Sequence, residues 1–177
     1  MLLHDVKALI LFSLMSSFIV LYQFTKNSPT SDWRIVDDVV MGGRSSGDFH
    51  INESGNGVFE GVVSLANNGG FSSVRYRETF QIQSHTTIKI HLKGDGSPYQ
   101  FRVKASVSDR HSYISQFETS GEWETIEIDL ADMYPAFRGR KLSIPNFDKE
   151  QIEELAFLIG NKKEQKFHLE LKSIELI

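Results

Sequence analysis

The sequence predicts an all-β protein in which two antiparallel sheets pack face to face as a sandwich. From residue 58 to the end, apolar and polar residues alternate with a period of two, so each strand has one apolar face. The strands are short, turn-forming residues separate them, and no long segment shows the 3.6-residue period of an amphipathic helix. Short strands and turns at this spacing are typical of a β-sandwich.

The N-terminal part of the chain divides into an apolar segment and the first strand. Residues 8–18 are almost wholly apolar, but the apolar run is shorter than the ~20 residues that a membrane-spanning helix needs. We expect residues 1–18 to be an export signal or a membrane anchor, or else a disordered extension. This favours an exported or membrane-associated protein over a cytoplasmic one. Residues 19–24 are β-branched and aromatic, and we assign them to the first strand of a domain over residues 19–177.

Alternation also identifies the side chains that face the core in the later strands. They are Ile88, Ile90 and Leu92, then Phe101, Val103, Ala105 and Val107, then Ile126, Ile128 and Leu130, and finally Phe167, Leu169 and Leu171. Arg102 and Lys104 point away from the core, and so do His91 and His168. Residues 94–98 and 108–112 are polar or rich in glycine, and we predict turns there.

Three segments near the C-terminus are less regular. Residues 155–159 are all apolar, which predicts a strand buried on both faces. Asp148 is a suitable cap for a short helical turn over residues 149–153. Residues 131–146 lack periodicity and contain two prolines, so we predict a long surface loop, which is a type of segment that often carries function.

Two polar loops are the strongest candidates for a binding site. They contain Gly42 and Gly43, and Asn67, Asn68, Gly69 and Gly70. Glycine and asparagine accept the left-handed backbone that tight loops need, and loops on a strand scaffold commonly carry binding sites. We therefore expect the four glycines to shape the loops, with a positive φ at Gly70.

Asp37 and Asp38 lie beside the first loop. Adjacent residues of a strand point to opposite faces, so the two carboxylates cannot form a facing acid–base pair. We expect one of them to anchor the loop over residues 40–45, in preference to binding a cation such as calcium.

Several long motifs resemble one protein family. They are residues 33–45, 59–65 and 67–75, together with 92–96, 99–102, 121–123, 137–140 and 167–174. In this order they resemble the complex I intermediate-associated protein family over about residues 19–177. The resemblance implies a jelly-roll β-sandwich of the galactose-binding domain-like kind. It also implies a non-catalytic assembly factor for NADH:ubiquinone oxidoreductase (complex I), which binds a protein intermediate transiently.

We expect a protein partner to contact the loops together with outward-facing cations and tyrosines. The predicted binding residues are Asp38, Arg44, Asn67, Asn68, Arg75, Tyr99, Arg102, Tyr113 and Arg138. Arginine offers a planar fork of donors that suits carboxylates, phosphates and carbonyl groups. For any single arginine, a surface ion pair is the simpler interpretation.

A carbohydrate ligand is the alternative prediction. Sugars pack their apolar faces on exposed aromatic rings, and such a surface could be formed by Tyr99, Tyr113, Phe117, Trp123 and Tyr134. For Trp33 and Trp123 the core is the simpler location, because large aromatic side chains dominate sandwich interiors.

Composition and motifs argue against several other functions and kinds of site. The formal net charge of −4, without a lysine- or arginine-rich run, argues against nucleic-acid binding. The chain has no cysteine, which excludes disulfides and thiolate catalysis. Its six histidines form no His-x-x-x-His pair, so we predict no metal site and no cofactor. The Gly-x-Ser-x-Gly motif of serine hydrolases is missing too, and we predict that the protein is not an enzyme.

Overall fold

Two antiparallel β-sheets pack against each other in the computed structural model of the protein, which describes residues 18–177. The sandwich predicted from the alternation of apolar and polar residues is confirmed. The apolar segment predicted over residues 1–18 lies outside the described residues, except for Phe18. Within residues 18–177, no helix has the length and apolar character needed to cross a membrane.

The first sheet has six strands. They are β1 (Ile19–Gln23), β3 (Ser46–Ile51), β4 (Gly57–Val63), β6 (Thr87–Lys93), β9 (Trp123–Asp129) and β13 (Gln165–Leu176). Five of them follow the order β3-β4-β13-β6-β9, and β1 pairs with β13. The strand predicted over residues 19–24 is therefore confirmed, because Ile19 pairs with Leu176 and Gln23 with Ser173.

The second sheet has seven strands. They are β2 (Trp33–Asp37), β5 (Ser72–Gln81), β7 (Tyr99–Lys104), β8 (Ser112–Phe117), β10 (Tyr134–Phe137), β11 (Arg140–Lys141) and β12 (Gln151–Ile159). Their order is β11-β10-β8-β7-β12-β5-β2. Because β12 lies near the centre, its residues 155–159 are buried on both faces, as predicted. Short 3-10 segments connect some of the strands, at Thr30–Asp32, Asp38–Met41, Ala66–Asn68 and Leu130–Asp132.

An aromatic cluster joins the two sheets at one end of the core. Trp33 is buried, as predicted, and its ring centroid lies 5.2 Å from that of Tyr76 and 5.4 Å from that of Phe49. Tyr76 belongs to β5 of the seven-stranded sheet, whereas Phe49 belongs to β3 of the other sheet. Aromatic pairs at such distances add ~0.5–1.5 kcal/mol each beyond the burial of their area. The cluster therefore holds the edge strand β2 to its own sheet and to the opposite one.

Two segments differ from the predictions. Residues 149–153 form no helical turn, because Gln151 already begins β12 and pairs with Gln81. Residues 131–146 contain the hairpin of β10 and β11 at the edge of the sheet instead of one long loop. Pro135 is tolerated in this hairpin because its carbonyl oxygen accepts a hydrogen bond from Leu142 N at 2.9 Å and no donor is required of it.

Two side chains face solvent where the core was predicted. Val107 is 43% exposed, because β7 ends at Lys104 and the chain turns back after Ser106. Trp123 is 40% exposed and lies on the outer face of β9, where its ring stacks on that of His91 at a centroid distance of 5.2 Å. The core-facing residues of β9 are the even-numbered ones, so the alternation itself places Trp123 outside.

Candidate functional site

The carboxylate of Asp38 holds the two polar loops together. Asp38 Oδ1 accepts a hydrogen bond from Ser45 N at 2.9 Å, and Asp38 Oδ2 accepts one from Ser45 Oγ at 2.5 Å. Oδ2 also accepts from the second loop, from Gly70 N at 2.5 Å and from Phe71 N at 3.2 Å. The predicted loop anchor is therefore confirmed for this residue. Because Asp38 is fully buried, the prediction that it contacts a partner is wrong.

Hydrogen bonding keeps this buried group charged. Burial by itself raises the pKa of Asp38, but the hydrogen bonds from Ser45, Gly70 and Phe71 outweigh it, and the pKa lies below the ordinary value of 3.8. Hydrogen bonds to an ionised carboxylate are stronger than those between neutral groups, so these contacts hold the two loops together firmly. Asp38 thus joins the two loops at this surface.

The four loop glycines serve two different purposes. Gly42 and Gly70 have positive φ, at 89° and 138°, as the loop geometry requires. Gly43 and Gly69 instead make room for the anchor, because a Cβ at either would lie 2.2 Å or 2.5 Å from a carboxylate oxygen of Asp38. Asn67 and Asn68 adopt the left-handed backbone that their residue type permits, with φ of 56° and 59°, and both are exposed.

The replacement Gly70→Val should lower the free energy of unfolding by ~1–3 kcal/mol, because φ is 138° and Leu65 Cδ2 would lie 3.3 Å from the added Cβ. Urea denaturation of both proteins measures this difference. Arg44→Ala, in the exposed part of the other loop, is the control and should leave the midpoint unchanged. A valine variant as stable as the wild type would contradict the role assigned to Gly70.

Outward-facing arginines form a row across the seven-stranded sheet. Directly paired positions place Arg34 beside Arg75, Arg75 beside Ala156, and Ala156 beside Arg102. Strands lie about 4.8 Å apart, so the backbones of Arg75 and Arg102 are about 10 Å apart. Ala156, between them, is buried beneath this row.

A second row carries further cations around one carboxylate. Glu154 is only 3% exposed and accepts a hydrogen bond from Arg77 Nε at 2.7 Å, and Arg75 Nη1 lies 3.6 Å from its other oxygen. Lys104 is its direct neighbour on β7. We call the set of Arg34, Arg75, Arg77, Arg102, Lys104 and Glu154 the arginine face. It holds five cationic side chains and one carboxylate in a chain whose net charge is −4.

Arg102 is held by an amide side chain of its own strand and not by a carboxylate. Its Nε and Nη2 donate to Gln100 Oε1 at 2.9 Å and 2.6 Å, which fixes the guanidinium plane. Burial, followed by the positive charge of Arg75, lowers the pKa of Arg102 to about 10, so the group stays charged at neutral pH. Among residues 18–177 no carboxylate lies within ion-pair distance of it.

One end of the arginine face is concave. Arg34, Arg75 and Arg77 line a cleft of about 290 Å³ beside Ser31 and Asp32. Burial lowers the pKa of Arg75, the charge of Glu154 partly offsets this, and the charges of Arg77 and Arg34 lower it further. Three guanidinium groups around one cleft favour an anionic group of a ligand.

The predicted tyrosine platform is wrong. Tyr99 and Tyr113 are 1% and 2% exposed, and Phe117 is buried as well. Tyr99 shares the core face of β7 with Phe101, and its hydroxyl donates to Asp95 Oδ1 at 3.1 Å. Burial raises the pKa of Tyr99 far above its ordinary value. Neither tyrosine can contact a partner or stack on a sugar.

The remaining predicted residues lie apart from one another. Arg44 is exposed in the first loop, and Arg138 is exposed in the β10–β11 turn, where its guanidinium carbon lies 5.4 Å from the centroid of the Phe137 ring. The structure thus brings together Arg75 and Arg102 from the predicted set, and it adds Arg34, Arg77 and Lys104. Alternation along β2, β5 and β7 could have indicated these additional residues.

Sequence reasoning missed a cluster on the outer face of the six-stranded sheet. Asp48, His50 and Glu60 each offer a ligand atom, and these atoms lie within 4.8 Å of one another. His168 is hydrogen-bonded to Glu60 through Nδ1 at 2.9 Å. We call these four residues the histidine–carboxylate cluster. The pattern Asp48-x-His50 on one strand was the available signal, because residues two apart share a face.

The fold defines the class of the protein, a jelly-roll β-sandwich of the galactose-binding domain-like kind. Over 90% of its length the chain is similar to a family 11 carbohydrate-binding module from Clostridium thermocellum, solved with a β-1,3-1,4-mixed-linked tetrasaccharide. The two share 18% identity with a TM-score of 0.67, and 95% of the module is covered. A variant of the carbohydrate-binding module CBM29-2 matches at 10% identity and a TM-score of 0.54, with 92% of each chain covered. The agarase AgWH50C matches at 10% identity and a TM-score of 0.57, over 90% of this chain and 24% of that enzyme.

The sequence identifies the family within this class. The model of the family described as complex I intermediate-associated protein 30 (CIA30) matches residues 22–171. The chain belongs to this family, and the resemblance found from the motifs is confirmed. No curated protein matches the sequence significantly.

Proposed function

We propose that the protein is a non-catalytic binding module whose arginine face holds an acidic protein partner transiently. The observation that carries the proposal is Arg102, a partly desolvated guanidinium beside Arg75, without a carboxylate near it in residues 18–177. Removing a charge from water is costly unless an opposite charge compensates it. A carboxylate of a partner, placed beside the Arg102 guanidinium, would supply that compensation.

Family membership indicates the kind of partner. The family is named for association with an intermediate of complex I, and we propose that the partner is a protein of such an assembly intermediate. Assembly factors must leave the finished product, which suits a modest, polar and charge-dependent interface. The two loops joined by Asp38 adjoin the arginine face, because β2 ends at Asp37 and β5 begins at Ser72. They would add polar contacts through Asn67 and Asn68.

The replacement Arg102→Ala should leave the fold intact and weaken partner binding by about 30-fold or more, as expected for a central interface arginine. The partner is first isolated by pull-down from native membranes with the intact chain, and affinity is then measured by calorimetry. Binding of the wild type should also weaken as salt is raised.

Arg140→Ala is the matched control, because Arg140 is exposed on the short edge strand β11 and lies outside the arginine face. It should bind as the wild type does. Equal binding by the Arg102 variant would overturn the proposed surface, and an unfolded Arg102 variant in a thermal melt would show the residue to be structural.

Carbohydrate binding is the second candidate, and one observation favours it. Trp123 is 40% exposed and its ring stacks on the His91 ring, so an aromatic ring is available to solvent on the six-stranded sheet. The chain has two tryptophans, and Trp33 is buried, so quenching of tryptophan fluorescence by a mixed-linked tetrasaccharide would report on Trp123. A saturable change in the wild type, together with loss of tetrasaccharide binding by Trp123→Ala in calorimetry, would support this function over protein binding.

A further inference from the structure

We propose that Asp48, His50 and Glu60 form a binding site for a divalent transition-metal ion such as Zn²⁺, and that His168 holds Glu60 in position. The histidine–carboxylate cluster belongs to the six-stranded sheet, whereas the arginine face belongs to the other sheet. The proposal is therefore independent of the proposed partner surface.

Strand pairing fixes the backbone of every member of the cluster. Asp48 of β3 pairs directly with Glu60 of β4, and Glu60 pairs directly with His168 of β13. His50 lies two residues beyond Asp48 and therefore on the same face. Ligands on adjacent strands are positioned more precisely than ligands on loops.

The distances suit a shared ion. His50 Nδ1 lies 3.3 Å from Asp48 Oδ2 and 3.9 Å from Glu60 Oε1. Two ligand atoms that each bind one zinc ion at ~2.0–2.2 Å lie about 3.5 Å apart in tetrahedral geometry. Small rotations of these side chains, which are between 43% and 73% exposed, would bring the three atoms around one ion.

His168 acts on Glu60 from the other side. Its Nδ1 lies 2.9 Å from Glu60 Oε2, and its Nε2 lies 3.5 Å from Glu170 Oε1. An imidazole that donates from Nδ1 occupies Oε2 and leaves Oε1, the oxygen nearer to His50, free for the ion. Hydrogen-bonded partners of this kind orient metal ligands and are commonly worth about 10–100-fold in affinity.

The three ligand side chains are open to solvent, and a groove of about 540 Å³ lies beside Asp48 and Glu60. It is lined by Asp48, Glu60 and His168 and also by Gly47 and Gly61, which face each other across β3 and β4. Three protein ligands with open positions are the arrangement of zinc sites that also bind water or a small ligand.

The ligand types select the metal. An imidazole nitrogen favours Zn²⁺, Cu²⁺ or Ni²⁺, whereas Mg²⁺ and Ca²⁺ prefer sites made of oxygen atoms alone. Two carboxylates supply the negative charge that a divalent ion needs.

Calorimetric titration of the full-length, chelator-treated chain with Zn²⁺ tests the site. We expect saturable one-to-one binding, about tenfold or more weaker in His50→Ala and in Glu60→Gln. Ca²⁺ should not compete. The control His91→Ala removes an outward histidine of the same sheet that is bonded to Thr125 and has no carboxylate partner in residues 18–177, and it should bind Zn²⁺ normally.

Side-chain NMR of the histidines separates a ligand from a positioning residue. Zn²⁺ should shift the ring nitrogens of His50 strongly, those of His168 weakly and those of His91 not at all. His168→Ala should bind more weakly yet retain the His50 shift. Absence of saturable Zn²⁺ binding, equal binding by His50→Ala, or equal competition by Ca²⁺ would each overturn the proposal.

Discussion

Replacing Asp38 with alanine is expected to lower the free energy of unfolding by roughly 3–5 kcal/mol. The replacement removes the acceptor of four hydrogen bonds, two from Ser45 and one each from Gly70 and Phe71. The Ser45 donors are buried and those of Gly70 and Phe71 are partly buried, so water has little access to replace the fully buried carboxylate. Chemical denaturation monitored by circular dichroism measures the loss.

Asp129→Ala is a suitable control for the loss of an aspartate. Asp129 is exposed and accepts one hydrogen bond, from Ala131 N at 3.0 Å. Asp129→Ala should therefore lower the free energy of unfolding by only about 1 kcal/mol, as removal of a helix cap does. If Asp38→Ala cost no more than this control, the loops would not depend on the buried carboxylate.

The contribution of Asp38 should also depend on pH. Its pKa in the folded protein is below the ordinary 3.8, so the charged form stabilises the fold above the unfolded-state pKa. This stabilisation is lost as the pH falls through the folded-state pKa. The stability difference between the wild type and Asp38→Asn should therefore be constant near neutral pH and shrink below about pH 4. A difference that grows on acidification would contradict the assigned charge.

Gly61→Ala is expected to destabilise the fold by roughly 2–5 kcal/mol, the sum of steric overlap and backbone strain. A Cβ at Gly61 would lie 2.0 Å from the carbonyl oxygen of Ser46 and 2.9 Å from Gly47 Cα. Both atoms belong to the backbone of β3, which pairs with β4 at this point. Relief would require separating the two strands, so no rotation of a side chain can absorb the contact. The midpoint of thermal or urea unfolding is the measurement.

Comparison with Gly121→Ala separates the cost of backbone strain from the cost of the steric overlap at Gly61. Gly121 also has a positive φ, 87°, but a Cβ there would meet no atom within 4 Å in the described structure. The expected loss is only the ~1–2 kcal/mol of a left-handed backbone in a residue other than glycine. Equal losses in the two variants would show that the approach of β3 to Gly61 is unimportant.

Local patterns were sufficient to predict the sandwich and the loop anchor. Alternation depends only on neighbouring residues, and it correctly placed Phe101 inside and Arg102 outside. An anchor at Asp37 or Asp38 could be predicted because an aspartate beside Gly42 and Gly43 commonly bonds to the loop backbone, but the sequence did not show that it is Asp38. The error at Trp123 came from giving the general preference of tryptophan for cores more weight than the alternation of β9, which indicated the outer face.

The composite surfaces could not be predicted, because they depend on the order of the strands. Arg34, Arg75 and Arg102 are far apart in the sequence and become one row only when β2, β5, β12 and β7 lie side by side. Glu60 and His168 are likewise joined by the pairing of β4 with β13. The hairpin over Tyr134–Lys141 was missed for a related reason, since β10 owes its strand structure to pairing with β8 rather than to an alternating pattern.

The pairing of β1 with the end of β13 has a practical consequence for handling the molecule. Ile19 and Leu176 are neighbours in the ladder, so fluorophores or purification tags fused before Phe18 or after Ile177 attach close to each other. Both attachment points lie on the six-stranded sheet, whereas the arginines lie on the seven-stranded sheet. Immobilising the chain through Ile177 therefore holds it by the sheet that does not carry the arginines.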